Sequence, residues 1–157
     1  MAENLFPKDE LEIVAEELND REDNPIGYIE SIFFDETIGD LARDGQYKLK
    51  KATGLEAWEQ WCINCLLTEK DAYPAYGSGF GISTYEAMES ETREEAESIL
   101  ALEITEGLMK DPYGRTESVE EILFDWTTPS EVFITVRVRG IDDVTIDITA
   151  VIDQGAR

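Results

Sequence analysis

The sequence contains no histidine and only two cysteines, Cys62 and Cys65. Without an imidazole, the usual Ser-His and Cys-His nucleophile arrangements are excluded. A structural zinc site needs four ligands, and here two thiols would have no third Cys or His to join them. A C-x-x-C pair can also be redox-active. This pair, however, lies inside an apolar helical pattern, where it reads as two small core side chains. Basic residues are scarce too: 13 Lys and Arg stand against 36 Asp and Glu, a formal net charge of -23. A surface so acidic repels nucleic acid and anionic membranes. It suits either a solvated surface or docking on a basic protein, and composition leaves both open. No apolar run approaches the ~20 residues that a membrane-spanning helix needs. The opening MAENLFPKDELEIV has neither the basic start nor the apolar stretch of a signal peptide, so the chain reads as made and used in a cytoplasm.

Recognisable catalytic or ligand motifs are equally sparse. Gly77-x-Gly79-x-Gly81 is glycine-rich, but it follows no strand and lacks the Lys-Ser or Lys-Thr ending of a phosphate loop. No D-x-D-x-D-G calcium loop occurs. Among so many carboxylates some pair can always be matched to a glycosidase, which gives that pattern no specificity. No cofactor and no metal are implied, and the chain reads as a non-enzyme.

What is present is a foldable domain. A length of 157 residues and an apolar fraction of 42% suffice for one core. Residues 1–26 read as an acidic N-terminal helix or arm, with Leu11, Val14, Ala15 and Leu18 at helical spacing before Asn24, Pro25 and Gly27 break the pattern. Residues 27–157 read as the domain proper. Tyr28 to Phe34 and Gln46 to Lys51 have strand character, with Gly39 and Asp44-Gly45 as turn signals. A helix follows: Thr53 and Glu56 form a capping-box pattern, and Leu55, Trp58, Cys62, Cys65 and Leu66 share one face beside Trp61. Pro74 and the Gly77-Ser78-Gly79 cluster must end it, leaving residues 70–84 as a loop carrying Tyr73, Tyr76 and Phe80. A second helix spans Thr92 to Met109, again with a capping box at Thr92 and Glu95. Its apolar residues Ala96, Ile99, Leu100, Leu102, Ile104 and Leu108 cover a broad arc, which predicts deep burial.

The C-terminal third switches to period two. Ile122, Phe124 and Trp126 alternate with other residues, as do Val132, Ile134, Val136 and Val138, and then Val144, Ile146, Ile148 and Ala150. Short connections favour an antiparallel meander, with Gly140 to Asp143 turning the last hairpin. On its polar face Arg137 and Arg139 can meet Asp143 and Asp147. The fold class is α+β: two main helices on a small antiparallel sheet.

One further pattern is more specific. GLEAW at 54–58, LLTEK at 66–70 and YPAYG at 73–77, in that order, resemble the wedge or sheath-initiator proteins of contractile phage-tail baseplates, whose domain is known as "lysozyme-like". That family's first helix ends in Leu-Thr, then Glu-Arg, then Pro-x-Phe/Tyr-Gly. Glu69, Pro74, Tyr76 and Gly77 match it, and Lys70 stands where Arg is common. EITEGLMKDP at 103–112 is similar to the family's second helix end, and IFFDETIGD at 32–40 to its prophage branch. The resemblance covers roughly residues 30 to 152 and leaves out the acidic arm.

The resemblance implies a structural subunit of a tail baseplate, located in the virion and assembled in the host cytoplasm. It implies six copies around the tail axis, linking the wedge core to the first sheath ring. The joint at Glu69, Lys70, Pro74, Tyr76 and Gly77 would contact neighbouring wedge proteins. The last strand, with Val144, Ile146 and Ile148, would accept a strand of the tail sheath protein, since a sheet edge carries unpaired backbone groups. Lys at position 70 cannot bind a carboxylate in the bidentate manner of Arg. Two other readings remain: an acidic module that mimics nucleic acid on a basic protein outside any tail, and, more remotely, a peptidoglycan hydrolase.

Overall fold

A computed structural model describes residues 31–153 apart from Glu36 and Thr53. The acidic arm, Tyr28 to Glu30 and the expected Thr53 cap therefore lie outside the described residues. The architecture is α+β, as the alternation of sequence periods predicts.

The chain first builds a small β-unit. Strands β1 (Ser31–Ile32) and β2 (Phe34–Asp35) replace the single strand expected here. The break falls at Phe33, which changes partner: its N–H donates to the Lys50 carbonyl, while its own carbonyl accepts from Ala42 N–H. β2 pairs with β3 (Asp40–Leu41) and β1 with β4 (Lys51–Ala52), both antiparallel. The expected strand from Gln46 begins later, because Asp44 organises a turn. Its Oδ1 accepts from Gln46 N–H (2.8 Å) and Lys48 N–H (2.9 Å), and Tyr47 takes a left-handed φ of 62°.

Helix α1 (Gly54–Leu67) follows. Ala57, Trp58, Cys62, Cys65 and Leu66 are its buried face, so both thiols are core residues. The stripe is buried only from Ala57 onward, and Leu55 is 40% exposed. After a loop, a four-residue helix α2 (Tyr85–Met88) precedes α3 (Arg93–Met109). Thr92 caps α3 as expected, its side chain accepting from Glu95 N–H at 3.2 Å. The expected broad burial of α3 does not hold. Ala96, Leu100, Ile104 and Leu108 are buried, but Leu102 is 60% exposed. At about 100° per residue, Leu102 lies roughly opposite Ile104, so it faces away from the sheet.

Strands β5 (Thr116–Thr128), β6 (Glu131–Gly140) and β7 (Thr145–Asp153) form an antiparallel meander in the order β5-β6-β7. α1 lies over β7 and α3 over β5, and the helices also touch each other. Val132, Ile134, Val136 and Val138 of β6 are all buried beneath them. Each fully buried Val, Leu or Ile contributes about 1.5–3 kcal/mol relative to exposure, so this central strand anchors the core. A polar pin closes it at one end: Trp58 Nε1 donates to Thr116 Oγ1 at 3.1 Å, next to a buried bidentate pair between Arg115 and Asp111 (2.8 and 2.9 Å).

Candidate partner-binding surfaces

The joint after α1 is an ordered excursion rather than a slack loop. Thr68 and Glu69 leave the helix and run beside Ile82 as the chain returns. Ile82 N–H donates to Thr68 O, and Lys70 N–H to Ile82 O, each at 3.0 Å. Asp71 N–H donates to Phe80 O at 3.1 Å, and the Asp71 carboxylate accepts from Gly79 N–H at 2.5 Å. Gly81 makes the return possible. Its φ is +96°, and a Cβ there would lie 2.5 Å from Thr68 O. Gly107 on α3 lets the returning strand approach, since a Cβ there would meet Gly81 O and Ile82 Cγ2 at 3.2 Å.

Glu69 and Lys70 hold the joint to the body. Glu69 Oε2 accepts from Thr84 Oγ1 at 2.9 Å, and Lys70 Nζ lies 3.4 Å from Glu103 Oε2 on α3. Glu103 Oε2 also accepts from Ser83 N–H at 3.0 Å. One α3 carboxylate thus ties both ends of the excursion. A lysine serves here because the contact is single and needs no bidentate fork. Phe80 is half-buried with its ring edge against Trp61 (centroids 5.9 Å apart), which makes it the cap beneath the loop. The tip is different: Tyr73, Pro74, Ala75 and Gly77 are exposed, around a 3-10 turn at Pro74–Tyr76.

At the other surface, β7 pairs with β6 over the whole run from Thr145 to Asp153. Among the described residues it has no strand on its other side. Ile148 is buried and Val144 and Ile146 are half-buried against the helices. Val144, expected in the strand, lies just before it, closing the turn at Ile141–Asp143; Ile146 and Ile148 fix the strand itself, and a partner strand would meet its backbone. Alternate N–H and C=O groups of an antiparallel edge strand point away from its neighbour.

Sequence reading found the charged end of the sheet's outer face but not the apolar patch on it. Phe133 and Val151 stand directly opposite each other there, with Leu123 on β5 diagonal to Phe133, and all three are exposed. The available signal was a Phe at a polar position of the β6 alternation. The far end of this face carries the expected ion pairs. Arg137 binds Asp147 (2.9 Å) and Glu121 (3.3 Å), while Arg139 reaches Asp143 and Glu117. The Arg137 guanidinium, through its hydrogen bond and charge, holds the Asp147 carboxyl below the usual carboxylate range.

The joint thus presents an exposed tip, and the sheet a strand paired on one side only among the described residues, with an apolar patch beside it. Residues 30–143 match the family of contractile injection system sheath initiators, and the chain belongs to that family. It is thus a structural component of a contractile injection system, associated with the tail. No curated protein matches the sequence. The family match spans β1 to β6 and ends at the turn before β7. Among the described residues, no helix is long and apolar enough to cross a membrane.

Proposed function

We propose that this protein sits in the baseplate and links the wedge core to the first sheath ring, where sheath assembly starts. β7 accepts a strand from the sheath protein, and the exposed tip at Tyr73 to Gly77 contacts a wedge protein, with six copies around the tail axis. The observation that carries this reading is the geometry of β7. It is nine residues long, regular and free of proline, and is paired on one side only among the described residues. Natural sheets usually blunt such an edge, so a long regular one suits strand addition. The Leu123, Phe133 and Val151 patch lies on the same sheet and offers apolar contact to the incoming chain. The test is an electron-microscopy map of the tail, or of this chain bound to the sheath subunit of the same tail. A sheath strand hydrogen-bonded along Thr145 to Asp153 is the expected result. A map in which that edge faces solvent while the sheath ring is in place would refute it.

A further inference from the structure

The β-unit and α1 enclose an apolar groove of about 520 Å³, distinct from both surfaces above. Ile32, Phe34 and Leu41 line one wall, and Ala57, Trp61 and Tyr113 the other. Its floor is fixed, because the Gln60 side chain donates to the Phe34 carbonyl at 2.8 Å and accepts from Phe34 N–H at 3.5 Å. Ile32, Phe34, Leu41 and Tyr113 are exposed large apolar residues, a cluster that a soluble surface seldom leaves uncovered. We propose that the acidic amphipathic segment Asp9 to Leu18 of the same chain docks in this groove, with Leu11, Val14 and Leu18 turned inward.

Position, reach and charge all point to this occupant. Ser31, the first described residue, is itself part of the groove lining, so the acidic arm is tethered at the mouth. Residues 19–30 connect Leu18 to Ser31. An extended chain covers at most about 3.3–3.6 Å per residue, so this linker is long enough to bring Leu18 back to the groove. Asp9 to Leu18 holds five acids and no base. Residues 43–51 hold four bases, Arg43, Lys48, Lys50 and Lys51, against the single acid Asp44, the strongest basic run in a very acidic chain. All four are exposed on the β-unit, and Lys51 pairs with Ile32, which places it on the groove side. A short tether also gives an effective concentration on the order of millimolar, which favours the chain's own segment over a free partner.

The test uses the full chain, dilute and monomeric, mixed half and half with an isotope-labelled copy. A zero-length carboxyl-to-amine crosslinker is applied, and amide hydrogen exchange is followed in parallel. The expected result is unmixed-label crosslinks from Glu12, Glu16 or Glu17 to Lys48, Lys50 or Lys51, with exchange in residues 9–18 slowed about tenfold or more. Both signals should vanish in a Leu11→Asp, Val14→Asp variant while α3 amides keep their protection, which shows that the domain is still folded. Mixed-label crosslinks would overturn the assignment in favour of an arm exchanged between copies. Absence of both crosslinks and protection would overturn it in favour of a separate partner.

Discussion

Gly81 decides whether the joint can close. The residue sits at a φ that L side chains rarely adopt, and its missing Cβ leaves room for Thr68 O, a backbone atom that cannot move without disturbing α1. Overpacking of this kind typically destabilises by about 1–3 kcal/mol, and the unfavourable φ adds about 1–2 more. Gly81→Ala is therefore expected to lower stability by about 3 kcal/mol, read from urea unfolding midpoints at unchanged slope. A loss under about 0.5 kcal/mol, the range of ordinary surface changes, would mean that the return strand is not held as described. The thiols give a second test with a definite sign. Burial pushes Cys62 well above its ordinary pKa, reinforced by the nearby Asp111 charge, and burial also raises Cys65. The unfolded chain loses these protons above about pH 8.5, while the folded chain keeps them. Their contribution is thus fully present below that pH and is lost as pH rises from there toward each thiol's raised folded-state pKa. A Cys62→Ala, Cys65→Ala variant should show a flatter alkaline stability profile than the parent. Parallel profiles would show that other groups set the alkaline limit.

At the level of elements, the joint separates bracing from presentation. Glu103 accepts from Ser83 N–H and faces Lys70, so Glu103→Ala removes the tie from both ends of the excursion. The expected loss is about 1–2 kcal/mol, with faster hydrogen exchange through residues 70–84. Tyr73 and Pro74 stand exposed at the tip, and a Tyr73→Ala, Pro74→Ala variant should stay within about 0.5 kcal/mol of the parent. If the tip binds a wedge protein, that variant nonetheless fails to enter baseplates, which a purified-tail immunoblot reads directly. Normal incorporation would remove the tip from the interface. The contrast also marks what the sequence could tell. β6 was legible because a strand buried on one face must alternate, and Val132, Ile134, Val136 and Val138 do so, with Phe133 the one large apolar residue among the outward positions. The α3 start was legible because a side-chain cap uses a fixed spacing, Thr92 to Glu95. Leu102 misled because hydrophobic identity carries no direction, and only the phase of the helix places it outside. The return of Ile82 onto Thr68 and Glu69 left no mark, since pairing across a loop depends on distant carbonyls and on one glycine. α2 is a single turn, too short to show a period at all. The joint's residues were recognisable by type and order, but Glu103, which braces them, lies on another helix.

For the whole molecule, charge balance sets the response to salt. The surplus of 23 negative charges disfavours compaction, because folding brings carboxylates together that the unfolded chain keeps apart. Added salt shortens the screening length from about 10 Å at 0.1 M to about 3 Å at 1 M, which relaxes that repulsion. It also weakens the surface pairs of Arg137 and Arg139, but these are few and half-exposed, whereas the repulsion involves most of the surface. The repulsive term therefore wins, and the thermal midpoint should rise by several degrees as NaCl increases from roughly 0.02 M to roughly 0.5 M. A midpoint that falls over this range would mean that the local ion pairs outweigh the global repulsion. Docking should respond with the opposite sign. An acidic subunit held on a basic neighbour releases as salt screens the attraction between them, while its own fold tightens. Dissociation from baseplates with rising salt, alongside a rising melting point of the released chain, would thus show that the acidity serves assembly at some expense to the stability of the single subunit.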